Sequence, residues 1–340
     1  AARTPWERWM SAEQRLRVDV KAARSRARSL NFLTLRIKDG IVDRLRQQTG
    51  ARPSIDTRRP DVRVYGFLDE RQVTLYLDLS GEPLFKRGWR DDDLADEDAE
   101  GAAKGEAPLK ENLAAGLLAL CGWRPGIPLH DPFCGSGTIL IEAAWQARGF
   151  ASGRGRRFAF EQLLDFDAAA WARVRTEADT AEHRDPPETP GLLVGGDISG
   201  QALVRARANA VRAGVPEGDI EWRQVEALGA SPAARDGSTG MVIGNPPYGE
   251  RMSWRGGSGT AGDPVRAFGD RLKSHFPGWR VGLLSTDPGL PRALGMRERR
   301  RIPIFNGPLE CRLFIFDIFG EAPVPRSGPA RSEDADTTPG

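Results

Sequence analysis

The stretch Leu129-His130-Asp131-Pro132-Phe133-Cys134-Gly135-Ser136-Gly137-Thr138 decides the fold of this 340-residue chain. A short apolar segment ends in an acid, a turn with two glycines follows, and an apolar helical pattern over 139–144 comes next. Glycine adopts positive φ and lets backbone approach a ligand closely. Ligands of open α/β sheets bind beyond the carboxyl ends of the strands, near the point where strand order reverses. The stretch therefore predicts a parallel sheet with a ligand loop after its first strand.

The residues around the two glycines limit the kind of ligand. A dinucleotide loop reads Gly-x-Gly-x-x-Gly, but the third glycine position holds Leu140, and the Gly-Lys-Ser/Thr of a P-loop is missing. Asp131 would repel a pyrophosphate and suits a cationic cofactor that carries an amine. Asp197 ends the next predicted strand and can accept hydrogen bonds from two ribose hydroxyls, with Glu226 facing an adenine edge. The structural alternatives are a helix cap at Asp197, for which Ser199 is the better candidate, and an exposed loop residue at Glu226.

A second motif, Asn245-Pro246-Pro247-Tyr248, directly follows the apolar run 241–244. Each proline fixes its own φ near about −65° and pushes the residue before it out of helical geometry. The loop is therefore stiff, and the Asn245 side chain and the Pro246 carbonyl become pre-placed acceptors. Tyr248 offers a ring face on which an unpaired or flipped base can stack.

Two fixed acceptors suit the methylation of an exocyclic base amine. Such an amine is a poor nucleophile because its lone pair is delocalised into the ring. Acceptors on both amine protons favour a pyramidal nitrogen and aim its lone pair at a methyl donor, which is positioning combined with electrostatic preorganisation. The amide of Asn245 cannot act as a general base, and we assign no residue to that role. The structural alternative is a proline-rich turn with Tyr248 packed in the core.

Strand-like and helical patterns alternate on both sides of these motifs, from 108 to about 320. This alternation predicts a parallel sheet covered by helices, an α/β fold. The predicted strands are 127–130, 192–195, 220–225, 241–244, 281–284 and 313–318, and the predicted helices are 110–120, 137–148, 200–213 and 264–274.

Residues 1–90 predict a separate, small α+β domain. Val18-Asp19-Val20 is a strand candidate, 39–49 has helical apolar spacing that stops at Gly50, and the runs at 62–68 and 73–79 form a β-hairpin. This part carries 20 Lys/Arg against 11 Asp/Glu, whereas the whole chain has a net charge of +2. A basic module indicates a polyanion partner, although charge alone equally suits solubility.

The boundary between these domains is predicted from composition. Seven of the ten residues 91–100 are acidic, so 91–107 is interpreted as a linker. The predicted domains are therefore 1–90, the linker 91–107 and 108–320, followed by a Pro/Ser/Gly-rich tail at 321–340 that is expected to be disordered.

Other classes of protein are disfavoured by composition. The cysteines Cys121, Cys134 and Cys311 are isolated, and the histidines His130, His183 and His275 are scattered, so we expect neither disulfides nor a metal site. No apolar run approaches the ~20 residues of a membrane helix, and the N-terminus lacks a signal-peptide pattern. We therefore expect a soluble cytoplasmic protein.

At these motifs the chain resembles the RNA-methylase family that joins a THUMP domain to a Rossmann-like S-adenosylmethionine (SAM) methyltransferase domain. It is most similar to the bacterial 23S ribosomal RNA guanine-N2 methyltransferases. Besides Asp131–Thr138, Asp197 and Asn245–Tyr248, three segments carry the resemblance: 77–90 is similar to the THUMP exit, 107–114 to a segment beside the cofactor, and 306–311 to the last hairpin.

The resemblance implies SAM as cofactor and 23S rRNA, or a precursor of the large ribosomal subunit, as partner, without a membrane or a metal. It also implies amine acceptors at Asn245 and Pro246 within a catalytic loop that includes Pro247 and Tyr248. The implied cofactor-binding residues are Lys110, Asp131, Phe133, Gly135, Gly137, Thr138, Asp197 and Glu226. The resemblance begins inside the THUMP pattern, so an incomplete first domain is expected, and a second methyltransferase domain found in some members is not matched.

RNA contacts are predicted mainly in the basic first domain. Phosphate contacts by arginine give affinity and salt dependence without sequence information. The candidates are Arg24, Arg26, Arg28, Arg58, Arg59, Trp89 and Arg90, although tryptophan is more often a core residue. Three alternatives remain open: a THUMP-type tRNA guanine-N2 methyltransferase, a DNA adenine-N6 methyltransferase, and a non-catalytic RNA-binding assembly factor.

Overall fold

The computed structural model describes residues 1–25, 27–90, 109–182, 192–232, 238–247 and 263–320. Within these ranges the chain forms ten strands and seven α-helices. In chain order they are β1 (Leu16–Ala22), α1 (Leu30–Thr49), β2 (Val62–Leu68), β3 (Val73–Leu77), α2 (Glu111–Cys121), β4 (Leu129–Asp131), α3 (Thr138–Ala147), α4 (Ala168–Thr180), β5 (Leu193–Asp197), α5 (Gly200–Arg212), β6 (Ile220–Gln224), β7 (Met241–Gly244), α6 (Pro264–His275), β8 (Arg280–Ser285), α7 (Leu290–Leu294), β9 (Arg300–Asn306) and β10 (Leu309–Asp317).

The chain divides into two compact units. Unit 1 comprises Ala1–Gly88 together with Gly149–His183, and unit 2 comprises Trp89–Arg148 together with Arg184–Gly340. The sequence-based boundary treated 108–320 as one continuous domain, and this is corrected. Residues 149–182 carry few apolar side chains at helical spacing, and α4 has no buried residue, so the pattern gave no sign that this segment packs elsewhere.

Unit 1 is built on a three-stranded sheet in the order β1-β2-β3. β1 runs parallel to β2, which the sequence did not predict, and β2 pairs antiparallel with β3 as the predicted hairpin. The helix α1 starts nine residues before the predicted one, with the Ser29 hydroxyl accepting from the Phe32 N–H, and it stops at Gly50 with φ of 78°. Its face Ile41, Val42 and Leu45 is buried against the sheet in the core of the unit.

The segment 149–182 belongs to this unit through backbone and aromatic contacts. The Phe160 N–H donates to the Leu79 carbonyl at 3.2 Å, and the Leu164 N–H donates to the Trp9 carbonyl at 3.0 Å. The Phe160 and Trp171 rings pack edge to face with centroids 5.0 Å apart. The segment therefore extends unit 1 rather than unit 2.

Unit 2 contains a seven-stranded sheet in the order β6-β5-β4-β7-β8-β10-β9. The strands from β6 to β8 are parallel, whereas β10 is antiparallel to both β8 and β9. The chain fills one side from β4 through β5 to β6 and then returns to β7 on the other side of β4. Strand order thus reverses between β4 and β7, which places a crevice at their carboxyl ends.

The predicted elements of unit 2 lie within a few residues of the observed ones, which confirms the α/β fold. Periodicity missed β9 and the short helix α7, although the resemblance implied a hairpin at 306–311, where β9 and β10 pair. Strand β9 lies at the sheet edge and exposes Arg300, Arg301 and Phe305, so it lacks the apolar run of a buried parallel strand. Over the ranges that the structure describes, no helix combines the length and apolarity that crossing a bilayer requires.

Candidate active site

The loop between β4 and α3 is fixed by backbone hydrogen bonds. The Cys134 N–H donates to the Gly196 carbonyl at 2.9 Å, and the Gly137 N–H donates to the Cys134 carbonyl at 2.7 Å. Gly135 and Gly137 have φ of 51° and 85°. A Cβ at Gly137 would also lie 2.8 Å from the Trp222 ring. Both glycines therefore occupy positions that favour glycine, as the sequence predicted.

Asp197, the last residue of β5, holds this loop through its carboxylate. One oxygen, Oδ2, accepts from the Gly135 N–H at 3.0 Å, and the other, Oδ1, accepts from the Ser199 N–H at 2.8 Å. Ser199 is the cap of α5, since its hydroxyl accepts from the Ala202 N–H. Each carboxylate oxygen has a second lone pair, so Asp197 can still accept from ribose hydroxyls.

Asp131 is a buried acid at the start of the loop. It is 2% exposed, and its Oδ1 accepts from the Phe133 N–H at 3.0 Å. Burial raises the pKa of Asp131 to about 8, because the charged form loses its hydration; the Phe133 hydrogen bond opposes this rise and the Asp197 charge adds to it. A cationic ligand group beside Asp131 would favour its charged form.

Two further titratable side chains, His130 on β4 and Cys134 in the loop after it, are kept in their neutral forms by burial. Burial raises the pKa of the Cys134 thiol, so the reactive thiolate is disfavoured. Burial also lowers the pKa of His130 to about 4, with Arg223 acting in the same direction. Cys134 therefore fits the role of a small packing residue rather than that of a nucleophile.

The Asn-Pro-Pro segment begins in contact with the glycine loop. Asn245 follows Gly244, the last residue of β7. A Cβ on Gly244 would lie 3.1 Å from Cδ2 of Phe133 and 3.3 Å from Oδ1 of Asp131. The two motifs that the sequence singled out, more than a hundred residues apart in the chain, therefore meet at the crevice where strand order reverses.

The remaining residues of this motif differ in exposure. Asn245 is half-buried, Pro246 is buried and Pro247 is exposed. A buried Pro246 at the end of a buried strand fits the predicted rigid acceptor loop. The prediction for Tyr248 lies outside the described residues.

The other predicted cofactor residues lie in loops and at helix starts of unit 2. The Phe133 ring packs edge to face against Phe268, with centroids 5.3 Å apart. Thr138 is buried in the first turn of α3, and Lys110 precedes the first turn of α2. Glu226 precedes a 3-10 turn, and its Oε1 is buried without a hydrogen-bond partner among the described residues.

The predicted RNA-binding residues fall into two groups. Arg24, Arg28, Arg58 and Arg59 are exposed on loops of unit 1, and Arg26 lies outside the described residues. Trp89 is different, because it is 1% exposed and cannot stack on RNA.

The prediction for Arg90 is corrected together with that for Trp89. Its guanidinium lies 3.0 Å from the buried Glu111 carboxylate and donates to the Thr138 hydroxyl at 2.7 Å. Both side chains belong to the packing of unit 2, as an aromatic residue and a paired charge often do.

Sequence reasoning missed several residues that support the loop. The Asn209 amide donates to the Ser136 carbonyl at 3.0 Å, and the Arg212 guanidinium donates to the Asn209 side-chain oxygen at 2.6 Å. Asn209 is buried inside α5. A polar residue on the apolar face of a predicted helix was the only available signal, and it does not identify its partner.

Among the described residues, no group of three or more His, Cys, Asp or Glu side chains is placed to hold a metal ion. The crevice instead offers acids, backbone N–H groups and fixed acceptors. These groups suit an organic cofactor with hydroxyl and amine groups, next to a substrate amine.

Comparisons with known proteins identify both domains of the chain. Residues 1–78 match the THUMP domain, and residues 101–315 match the methyltransferase domain family described as RMKL-like. The crystal structure of SMU.472 complexed with SAH superposes with a TM-score of 0.77 at 28% identity, covering 93% of this chain and 78% of that one.

Curated relatives carry the name ribosomal RNA large subunit methyltransferase K/L. The protein from Syntrophotalea carbinolica is 39% identical over 92% of this chain, and that from Psychromonas ingrahamii is 37% identical over 94%. The chain spans only 43% and 41% of the lengths of these two relatives. Since the match to the methyltransferase domain covers more than half of the chain, the chain belongs to the RMKL-like methyltransferase domain family, with a THUMP domain ahead of that domain.

Proposed function

We propose that this chain transfers a methyl group from SAM to the exocyclic N2 amine of a guanine in the RNA of the large ribosomal subunit. The observation that carries the proposal is the contact between the two motifs, in which Gly244 abuts Asp131 and Phe133. This contact supports the pairing of an amine-acceptor loop with a cofactor loop. The names of the curated relatives support a large-subunit rRNA substrate.

Three features of the crevice fit SAM. Each Asp197 oxygen keeps a second lone pair that can accept from a ribose hydroxyl, and Oε1 of Glu226, to which no described residue donates, can accept from the adenine amino group. The buried Asp131 carboxyl suits the ammonium of the methionine part. The backbone of Gly135 and Gly137 leaves room for the ligand, and SMU.472, which shares this fold, was crystallised with SAH.

The chain's own residues would orient the nucleophile. SAM supplies an electrophilic methyl group when bound. Asn245 Oδ1 and the Pro246 carbonyl accept the two amine protons, which directs the nitrogen lone pair toward the cofactor side of the crevice. Asn245 holds a proton without removing it, since an amide has no basic group in the physiological range. The proton released after transfer therefore leaves to water.

The residues of unit 1 would supply affinity for RNA rather than chemistry. Arg24, Arg28, Arg58 and Arg59 are exposed, and their charges can pair with phosphates. Because phosphate contacts carry no base information, selection of the target guanine falls to the crevice and to the shape of the RNA.

The experiment that tests this proposal is tritium transfer from labelled SAM to purified 23S rRNA, large-subunit precursor particles, tRNA and DNA. The product nucleoside is then identified by chromatography. N2-methylguanosine in 23S rRNA or in the precursor supports the proposal. Label in tRNA or as N6-methyladenine overturns the substrate, and SAM binding with no transfer to any of these overturns the enzymatic activity in favour of a non-catalytic RNA-binding role.

Asp197→Ala is expected to raise the Kd for SAH by roughly ten- to a hundredfold, because hydrogen bonds to a charged group are lost. The change removes ribose acceptors and also frees the Gly135 N–H that Asp197 now holds. Isothermal titration calorimetry measures the effect. Ser199→Ala is the matched control: it removes the cap of α5 and should lower stability by about 1 kcal/mol with the Kd unchanged. An unchanged Kd in Asp197→Ala would refute the ribose assignment.

A further inference from the structure

Two arginines outside the motifs hold the residues on either side of Gly137. Arg90 donates to the side chain of Thr138, and Arg212 reaches the carbonyl of Ser136 through Asn209. These contacts matter because Gly137 precedes α3 without a side-chain cap and with a left-handed backbone. The loop's conformation at this point therefore depends on its neighbours.

Arg90 makes three contacts in a largely buried place. Nη2 donates to the Leu109 carbonyl at 2.6 Å and to the Thr138 hydroxyl at 2.7 Å. Nε lies 3.0 Å from Oε1 of Glu111 without forming a hydrogen bond to it, so this contact is an ion pair. The side chains of Arg90 and Glu111 are 19% and 4% exposed. One guanidinium thus ties the start of α2 to the start of α3.

A second set of contacts runs from the neighbouring residue. The Trp89 carbonyl accepts from Nε of Arg212 at 2.9 Å, and Nη2 of the same guanidinium donates to Asn209 at 2.6 Å. The Asn209 amide donates to the Ser136 carbonyl at 3.0 Å. Trp89 itself is buried. Trp89 and Arg90 are thus connected to Ser136 and Thr138, the residues on either side of Gly137.

We propose that Arg90 is a positioning residue for the cofactor: it fixes Thr138 and thereby the backbone of the glycine loop in the conformation that binds SAM. This inference rests on the proposed function of the crevice. Arg90 acts through the loop and not by contact with RNA. Arg90 is the second residue after the first segment of unit 1 ends at Gly88, so a residue close to this domain boundary contributes to cofactor affinity.

Two variants test this role. Arg90→Lys keeps a charge beside Glu111, but one ammonium cannot reproduce the forked contacts to Leu109 and Thr138. The double variant Arg90→Gln with Glu111→Gln removes both charges of this pair, so neither is left without the other. In both, calorimetry should show the Kd for SAH raised about tenfold, as expected for lost charge-assisted hydrogen bonds, while the Kd for 23S rRNA stays unchanged. The kcat at saturating SAM and RNA should change by less than about threefold.

Arg280→Lys is the matched control. Arg280 also bridges a carboxylate and a carbonyl, at 3.0 Å from Asp317 and 3.2 Å from Cys121, but it is the first residue of β8 and so lies at the amino ends of the parallel strands, whereas the crevice lies at their carboxyl ends. Its replacement should lower Tm without changing the Kd for SAH. Wild-type Kd in both Arg90 variants, or an equal rise in Arg280→Lys, overturns the positioning role. Absence of SAH binding by the wild-type chain overturns the proposed function itself.

Discussion

Asn245→Ala is expected to lower kcat for methyl transfer by about two to three orders of magnitude, the usual effect of removing one preorganised polar group from a transition state. The Kd for SAH should stay within about twofold, because the proposed role of the side chain is to accept a proton of the substrate amine and not to bind the cofactor. The position of Asn245 supports an effect on rate without an effect on SAH affinity. Gly244 is the residue that lies against the proposed cofactor loop, and Asn245 follows it. Single-turnover transfer at saturating SAM measures the rate.

Asn245→Asp is the informative companion variant. It keeps the size of the side chain and an oxygen acceptor, so it should retain more activity than alanine. Circular dichroism and SAH calorimetry exclude a folding defect in either variant. A normal rate in Asn245→Ala, or a loss of SAH affinity as large as the loss of rate, would contradict the acceptor role.

Asp131→Asn is expected to weaken SAH binding and to abolish its dependence on pH. In the wild-type chain, burial raises the pKa of Asp131 to about 8, so the ligand-free protein holds a proton at neutral pH. Binding of an ammonium requires the charged carboxylate and releases that proton. The affinity should therefore increase by up to about tenfold per unit between pH 6 and pH 8 and then level off. Calorimetry in buffers of different ionisation enthalpy measures both affinity and proton release.

The same substitution should stabilise the ligand-free protein. Between its unfolded pKa of 3.8 and its folded pKa of about 8, the folded Asp131 keeps a proton that the unfolded chain has lost. The free energy of unfolding therefore falls as pH rises through this window and stays low above it. Asparagine keeps an oxygen for the Phe133 N–H and has no charge to bury. Tm should be equal in the two proteins near pH 4 and higher in Asp131→Asn at pH 8; a Tm difference independent of pH would contradict this account.

The methyltransferase-like unit was largely predictable from local sequence because its strands are apolar runs buried on both faces. Met241–Gly244 is buried at every position, and it matches the predicted strand. The two motifs were also visible, since glycines with positive φ and consecutive prolines leave a local signature. Their contact follows from the parallel sheet, because the loops after neighbouring parallel strands lie at the same end of the sheet.

Contacts that depend on tertiary packing could not be predicted from sequence patterns. Strand β9 is an edge strand with exposed arginines, and α4 buries no side chain, so neither shows the expected periodicity. Trp89 and Arg90 have the composition of an RNA contact, yet one is buried and the other is paired with Glu111. A charged residue has the same sequence signature in both roles, because only its partner distinguishes them.

Because each unit is formed from two separate segments of the chain, one unit cannot be replaced by a single exchange of gene sequence. The chain passes from unit 1 to unit 2, back at Gly149, and out again near residue 183. A single break in the gene at the acidic stretch would leave 149–182 attached to a fragment that lacks its hydrogen-bond partners Leu79 and Trp9. An exchange of unit 1 by recombination would therefore need two coordinated replacements, which favours inheritance of the two units as one piece.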